Sequence, residues 1–134
     1  MSHVFADTFF FLALLNKTDE AHNLAVAFAR TDSRPYLTTE WFLTEIGDAF
    51  SARGSRSQFL RLLELLNSDR QSLVVPATHE LFERGVALYS LRLDKDWSLT
   101  DCISFVVMRE RGITDALTGD HHFIQAGFNA LLQP

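Results

Sequence analysis

Four acidic residues stand where side chains of their type could do metal chemistry: Asp7, Glu45, Asp101 and Asp120. Asp7 comes immediately after an apolar run at residues 3–6, and Asp120 follows another, residues 113–117, by two turn residues. Asp101 is the third residue after Ser98, in the manner of a capping box, and Glu45 sits among apolar residues one turn from Trp41. Taken singly, each acid has a structural explanation: a helix cap, a box partner, a solvated helical acid, a turn residue. Brought together, they would repel one another and raise one another's pKa unless a cation lay among them. Carboxylate oxygens are hard ligands, so the ion such a group implies is Mg2+ or Mn2+. That they converge is an inference from the elements that carry them.

Those elements follow from hydrophobic spacing. Short apolar runs alternate with amphipathic stretches, without internal repeats or a low-complexity linker, which predicts an α/β fold with a mainly parallel sheet. Strands are expected at residues 3–6, 36–38, 73–75, 113–117 and 128–132. The first helix is expected over 8–15, and the second is capped by Asp19 with Ala21, Leu24, Ala25 and Phe28 as its buried stripe. A third starts at Thr39 and ends at Gly54; a fourth, capped by Ser55 or Ser57, buries Phe59, Leu62, Leu63 and Leu66. Helices over 78–93, from Ser98 to Gly112, and over 120–126 complete the order β-α-α-β-α-α-β-α-α-β-α-β. In open α/β sheets ligands bind beyond the carboxyl ends of the strands, the edge to which Asp7 and Asp120 are delivered. Asp101 falls in the first turn of its helix, where the macrodipole favours a carboxylate.

The 134 residues suit one domain spanning 1–134, and 12 Phe among 47% hydrophobic residues supply an ample core. The single cysteine, Cys102, forms no internal disulfide and reads as a buried, inert thiol in a reducing compartment. The apolar start, residues 1–15, is broken by Asp7, has no preceding Lys or Arg and is too short for a bilayer, so it reads as a strand passing into a helix. No other run is long enough to cross a membrane, and the expectation is a cytoplasmic protein. A net charge of −5 argues against a broadly basic nucleic-acid grip. Two divalent ions among the acids would bring it to about −1 and invert the local field. Arg53, Arg56 and Arg61 form a local basic stretch that reads either as a solvated helix face or as a phosphate track. His121 and His122 follow Asp120 without any recognised zinc spacing, which argues against zinc ligands. Trp41 reads as core or rim packing, and Trp97 is open between packing and base stacking.

Five segments, VFADTFFFLALL, DEAHNLA, LTTEWFLTEIGDAF, DKDWSLTDCISFVVMRERG and ALTGDHHFIQAGF, carry a resemblance over nearly the whole length. In this order and at this spacing the chain resembles PIN-domain ribonucleases, most of all the VapC-like toxins of bacterial toxin–antitoxin pairs. The resemblance implies a single PIN-like domain, a three-layer α/β/α arrangement in which acids from four segments meet at one edge of the central sheet. Matched position by position, the family's four acids fall on Asp7, Glu45, Asp101 and Asp120. Asp96 matches a further acid near the site, as a ligand or a water contact, and Thr8 and Thr118 match hydroxyls beside the first and last acids. The implied chemistry is hydrolysis of an RNA phosphodiester with Mg2+ or Mn2+, leaving a 5′-phosphate and a 3′-hydroxyl. The implied partners are the RNA, a cognate antitoxin and a second copy of the chain.

Rival readings are weaker in residue type. A phosphorylated receiver domain wants an adjacent acidic pair after the first strand and a lysine near the last, whereas Asp7 has no acidic neighbour and the only lysines are Lys17 and Lys95. An aspartyl-nucleophile phosphatase wants an Asp at position 9, which is Phe9. The alternative of a catalytically silent PIN domain acting through protein partners runs against the complete set of acids.

Overall fold

The computed structural model describes residues 2–133; Met1 and Pro134, the ends of the expected 1–134 domain, lie outside them. Five strands form one sheet: β1 (Val4–Ala6), β2 (Tyr36–Thr39), β3 (Leu73–Val75), β4 (Asp115–Leu117) and β5 (Asn129–Ala130). Their order is β3-β2-β1-β4-β5, and every pairing is parallel. The connecting helices are α1 (Thr8–Leu15), α2 (His22–Thr31), α3 (Glu40–Ala49), α4 (Arg56–Ser68), α5 (His79–Leu91), α6 (Leu99–Glu110) and α7 (His121–Gln125).

The period-2 alternation of the strands splits the core in two. Val4, Ala6 and Leu117 face one cluster with Phe10, Phe11 and Ile46, contributed by α1 and α3. Phe5, Leu37 and Ala116 face the other, with Phe105 and Phe123 from α6 and α7. Helices therefore cover both faces of a fully parallel sheet, the three-layer arrangement expected. From β1 the chain proceeds to β2 on one side, while β4 pairs on the other, so the strand order reverses between β1 and β4. A crevice opens at such a switch point beyond the carboxyl ends of the strands.

The element order agrees with the sequence reading; several details do not. β1 begins at Val4, not His3, and β4 at Asp115, with Ile113 and Thr114 ahead of it. β5 is two residues long, because only the register Asp115↔Asn129 and Ala116↔Ala130 holds it to the edge. Asp19 does not cap α2: its Oδ1 accepts from Ala21 N at 2.8 Å, closing the preceding turn, and the N-cap is Ala21. Leu24 is 43% exposed and not part of the buried stripe of α2, where Ala25 is the fully buried residue. α3 stops at Ala49, short of Gly54, because the Ser51 hydroxyl donates to Asp48 O at 2.8 Å and captures a carbonyl that a longer helix would need. α4 is preceded by Ser55 without a side-chain cap bond. Among the described residues, no helix is long and apolar enough to cross a membrane.

Candidate active site

Asp7 is the N-cap of α1, and its Oδ1 accepts from Phe10 N at 3.2 Å. That bond requires the carboxylate to turn back over the first helical turn, where it is 5% exposed. The Thr118 hydroxyl, at the end of β4, also hydrogen-bonds Asp7, and its Oγ1 accepts from Asp120 N at 3.0 Å. Thr118 thus ties the first acid to the turn that carries the last. Asp120 in turn caps α7, accepting from His122 N at 2.9 Å.

Asp101 is held by both halves of the capping box that the sequence predicts. The Ser98 hydroxyl accepts from Asp101 N at 3.0 Å, and Asp101 Oδ2 accepts from Ser98 N at 3.3 Å. The same oxygen meets His122 Nδ1 at 3.2 Å. Glu45 projects from the middle of α3, where Thr8 Oγ1 donates to its Oε1 at 3.3 Å. These acids come from four segments far apart in sequence, yet Asp7, Glu45, Asp96, Asp101 and Asp120 line one hollow of about 320 Å³. Thr8, Ser98 and His122 share it, with Phe9 and Phe42 as its apolar wall.

The electrostatics of this hollow are unfavourable without a cation. Burial, reinforced by the charges of Asp101 and Asp120, pushes the Asp7 carboxyl up to about 7 from 3.8, against the lowering hydrogen bonds of Thr118 and Phe10 N. Asp101 is raised by burial and by Asp120, with Ser98 N–H and His122 pulling the other way. Glu45 is raised by the partial shelter of its carboxyl and then by Asp101 and Asp48, less the bond from Thr8. Among the described residues, no Lys or Arg lines the hollow. An oxygen-rich donor set with uncompensated negative charge fits a hard divalent ion. A larger hollow of about 480 Å³ lies on the other side of Phe9, but among the described residues Asp19 and Glu20 are its only charged ones.

Other residues that the sequence suggests fall elsewhere. Arg53 is exposed in the turn before α4, Arg56 Nε donates to Ser51 O at 2.7 Å, and Arg61 lies beside Glu64 on α4. None of the three lines the acidic hollow. Trp97 is 4% exposed, donates from Nε1 to Gln125 Oε1 at 3.0 Å and meets Phe105 edge-on at 5.0 Å, so it packs and offers no stacking face. Cys102 is buried, and its thiol is pushed up by that burial and by the Asp101 charge. Two polar lining residues go beyond the set that the sequence marks: Ser98, which reads there only as a cap, and His122. The capping box itself is the available signal for Ser98, since it fixes the hydroxyl beside Asp101.

An open parallel sheet with carboxylates gathered at its switch point is an arrangement that can hold a divalent cation. No family model matches the chain. It is 28% identical over 128 residues to the 23S rRNA-specific endonuclease VapC20 of Mycobacterium tuberculosis, in each of two strains, covering 93% of this chain and 95% of the relative. The crystal structure of M. tuberculosis VapC20, described as a sarcin–ricin loop cleaving toxin, superposes with a TM-score of 0.83 at 26% identity, again over 93% of this chain and 95% of that one. Over nearly its whole length the chain is thus similar, in sequence and in fold, to a VapC-type toxin.

Proposed function

We propose that the chain is a metal-dependent endoribonuclease, the toxin of a VapBC-type toxin–antitoxin pair, with Asp7, Glu45, Asp101 and Asp120 as its acidic site. The observation that carries this reading is the gathering of five carboxylates from distant segments in one hollow, with no Lys or Arg among the described residues that line it. Asp7 and Asp101 are the principal ligands, both buried and both fixed by backbone N–H groups. Asp120 and Glu45 complete the set, and Asp96 is a further ligand or water contact at the rim. Mg2+ or Mn2+, when bound, offsets the negative charge of the phosphodiester and increases the acidity of water.

The chain's own residues supply the rest. The capping box and the Thr118 bridge hold Asp101, Asp7 and Asp120 in place before substrate arrives, so little reorganisation is needed in the reaction. Thr8 fixes one oxygen of Glu45 and leaves the other to accept a proton or orient water. Phe9 and Phe42 exclude bulk water from one wall and strengthen the interactions inside. No side chain need act as nucleophile, since water attacks the phosphorus and the 3′-oxygen leaves, giving a 5′-phosphate and a 3′-hydroxyl.

The substrate is RNA, and because VapC20 is a 23S rRNA-specific endonuclease, that RNA is the first to test. A cognate antitoxin restrains the enzyme, and two copies associate. Support for association comes from Phe82, Val86 and Tyr89, exposed along one stripe of α5 at helical spacing. The test is cleavage-site mapping on total RNA with Mg2+ and with chelator, using wild type and Asp101→Asn. Discrete cuts bearing 5′-phosphates, present only with metal and lost in the variant, support the proposal. Metal-independent cuts, or cuts that survive in Asp101→Asn, refute it.

A further inference from the structure

Beside the oxygen-rich pocket stands a second donor set of different chemistry. Asp120, His121 and His122 each present one ligand atom, and these atoms all lie within 4.8 Å of one another. Both imidazoles approach the same carboxylate oxygen: His121 Nδ1 is 3.6 Å and His122 Nδ1 is 3.4 Å from Asp120 Oδ1. Neither ring nitrogen makes a well-formed hydrogen bond to that oxygen. They are, however, the edge lengths of a tetrahedron: ligands at about 2.0–2.1 Å from a zinc-sized ion stand about 3.4 Å apart. The two rings are tilted by 53° with centroids 4.5 Å apart. His121 is exposed, which leaves an entry path from solvent.

We propose that Asp120, His121 and His122 form a binding site for a borderline, imidazole-seeking divalent ion, with Zn2+ as its type. The site shares Asp120 with the acidic pocket but does not rest on that pocket's being a nuclease site. Two nitrogens and one oxygen favour Zn2+ or Co2+ over Mg2+, whereas the carboxylate pocket favours the reverse. Ligation takes the Nδ1 lone pair of His122, with the ring proton on Nε2, and replaces the 3.2 Å hydrogen bond to Asp101. Sequence spacing alone argues against zinc here, because adjacent histidines match no zinc motif. It is the turn at Asp120, closed by His122 N donating to Oδ1 at 2.9 Å, that folds all three donors together.

The experiment is calorimetric titration of the full chain with Zn2+, together with visible absorption of the Co2+ form, which reports tetrahedral nitrogen ligation. Wild type, the His121→Gln/His122→Gln double variant and Asp7→Asn are compared, with thermal unfolding to show that each is folded. Zinc affinity falls at least about tenfold in the double variant, with loss of the Co2+ absorption, while Asp7→Asn keeps both. Unchanged affinity in the double variant overturns the site. So does loss in Asp7→Asn alone, which would put the zinc among the carboxylates. Neither readout uses RNA cleavage, so failure of the nuclease proposal leaves this test intact.

Discussion

Replacing Asp7 by Asn should stabilise the metal-free protein, a sign opposite to that of most buried substitutions. Asp7 ionises at about 7 in the folded chain against 3.8 for an ordinary aspartate, with burial the largest cause. Converted at about 1.4 kcal/mol for each pH unit, the ionised carboxylate destabilises the native state by about 4 kcal/mol. Below pH 3.8 both states are protonated and there is no penalty. As pH rises from 3.8 to about 7 the unfolded chain gives up its proton while the native one keeps it, so stability falls throughout this window and levels off above it. Asn carries no such charge and can still accept from Phe10 N as an N-cap, so the helix start survives. Urea unfolding with chelator, from about pH 4 to pH 8, should therefore show the variant gaining on wild type as pH rises, by up to about 4 kcal/mol. Adding Mg2+ should stabilise wild type and close the gap. A variant that is equally or less stable above about pH 7, or a difference that does not grow with pH, would refute this explanation of Asp7.

Three further outcomes are expected. At Gly85, a Cβ would overlap Ile103 Cγ1 and crowd the Ile103 backbone at 3.3 Å, so Gly85→Ala should lower stability by about 1–3 kcal/mol in chemical denaturation, outweighing the roughly 1 kcal/mol gain in helix propensity. Replacing Arg53, Arg56 and Arg61 together by Ala should give a shallower salt dependence of RNA binding; an identical slope removes them from the RNA path. Val86→Asp on the exposed stripe of α5 should shift the chain to monomer in sedimentation, and an unchanged mass would place the association surface elsewhere.

Much of this architecture is written in local pattern. The run VFA before Asp7 and the run LVV before Pro76 have few alternatives to strands, and the Ser98–Asp101 box declares the start of α6 three residues from the acid it presents. The four acids are assignable because each adjoins such a marker or a family segment. What stays hidden depends on contacts between distant residues. β5 is short because pairing with Asp115 and Ala116 sets its length, not its own apolar residues. Leu24 keeps helical spacing yet lies exposed beside the larger hollow, since Ala25 turns into the core instead. His122 joins the acidic pocket only because α6 and α7 place it 3.2 Å from Asp101, a proximity that a separation of 21 positions along the chain conceals.

Whether carboxylates from four segments share a divalent cation is decided by anomalous diffraction from crystals soaked in Mn2+. A manganese peak is expected within bonding distance of carboxylate oxygens of both Asp7 and Asp101, and its loss in Asp7→Asn. Saturating Mn2+ that leaves this hollow without a peak, or that places the ion on other side chains alone, would contradict the shared site.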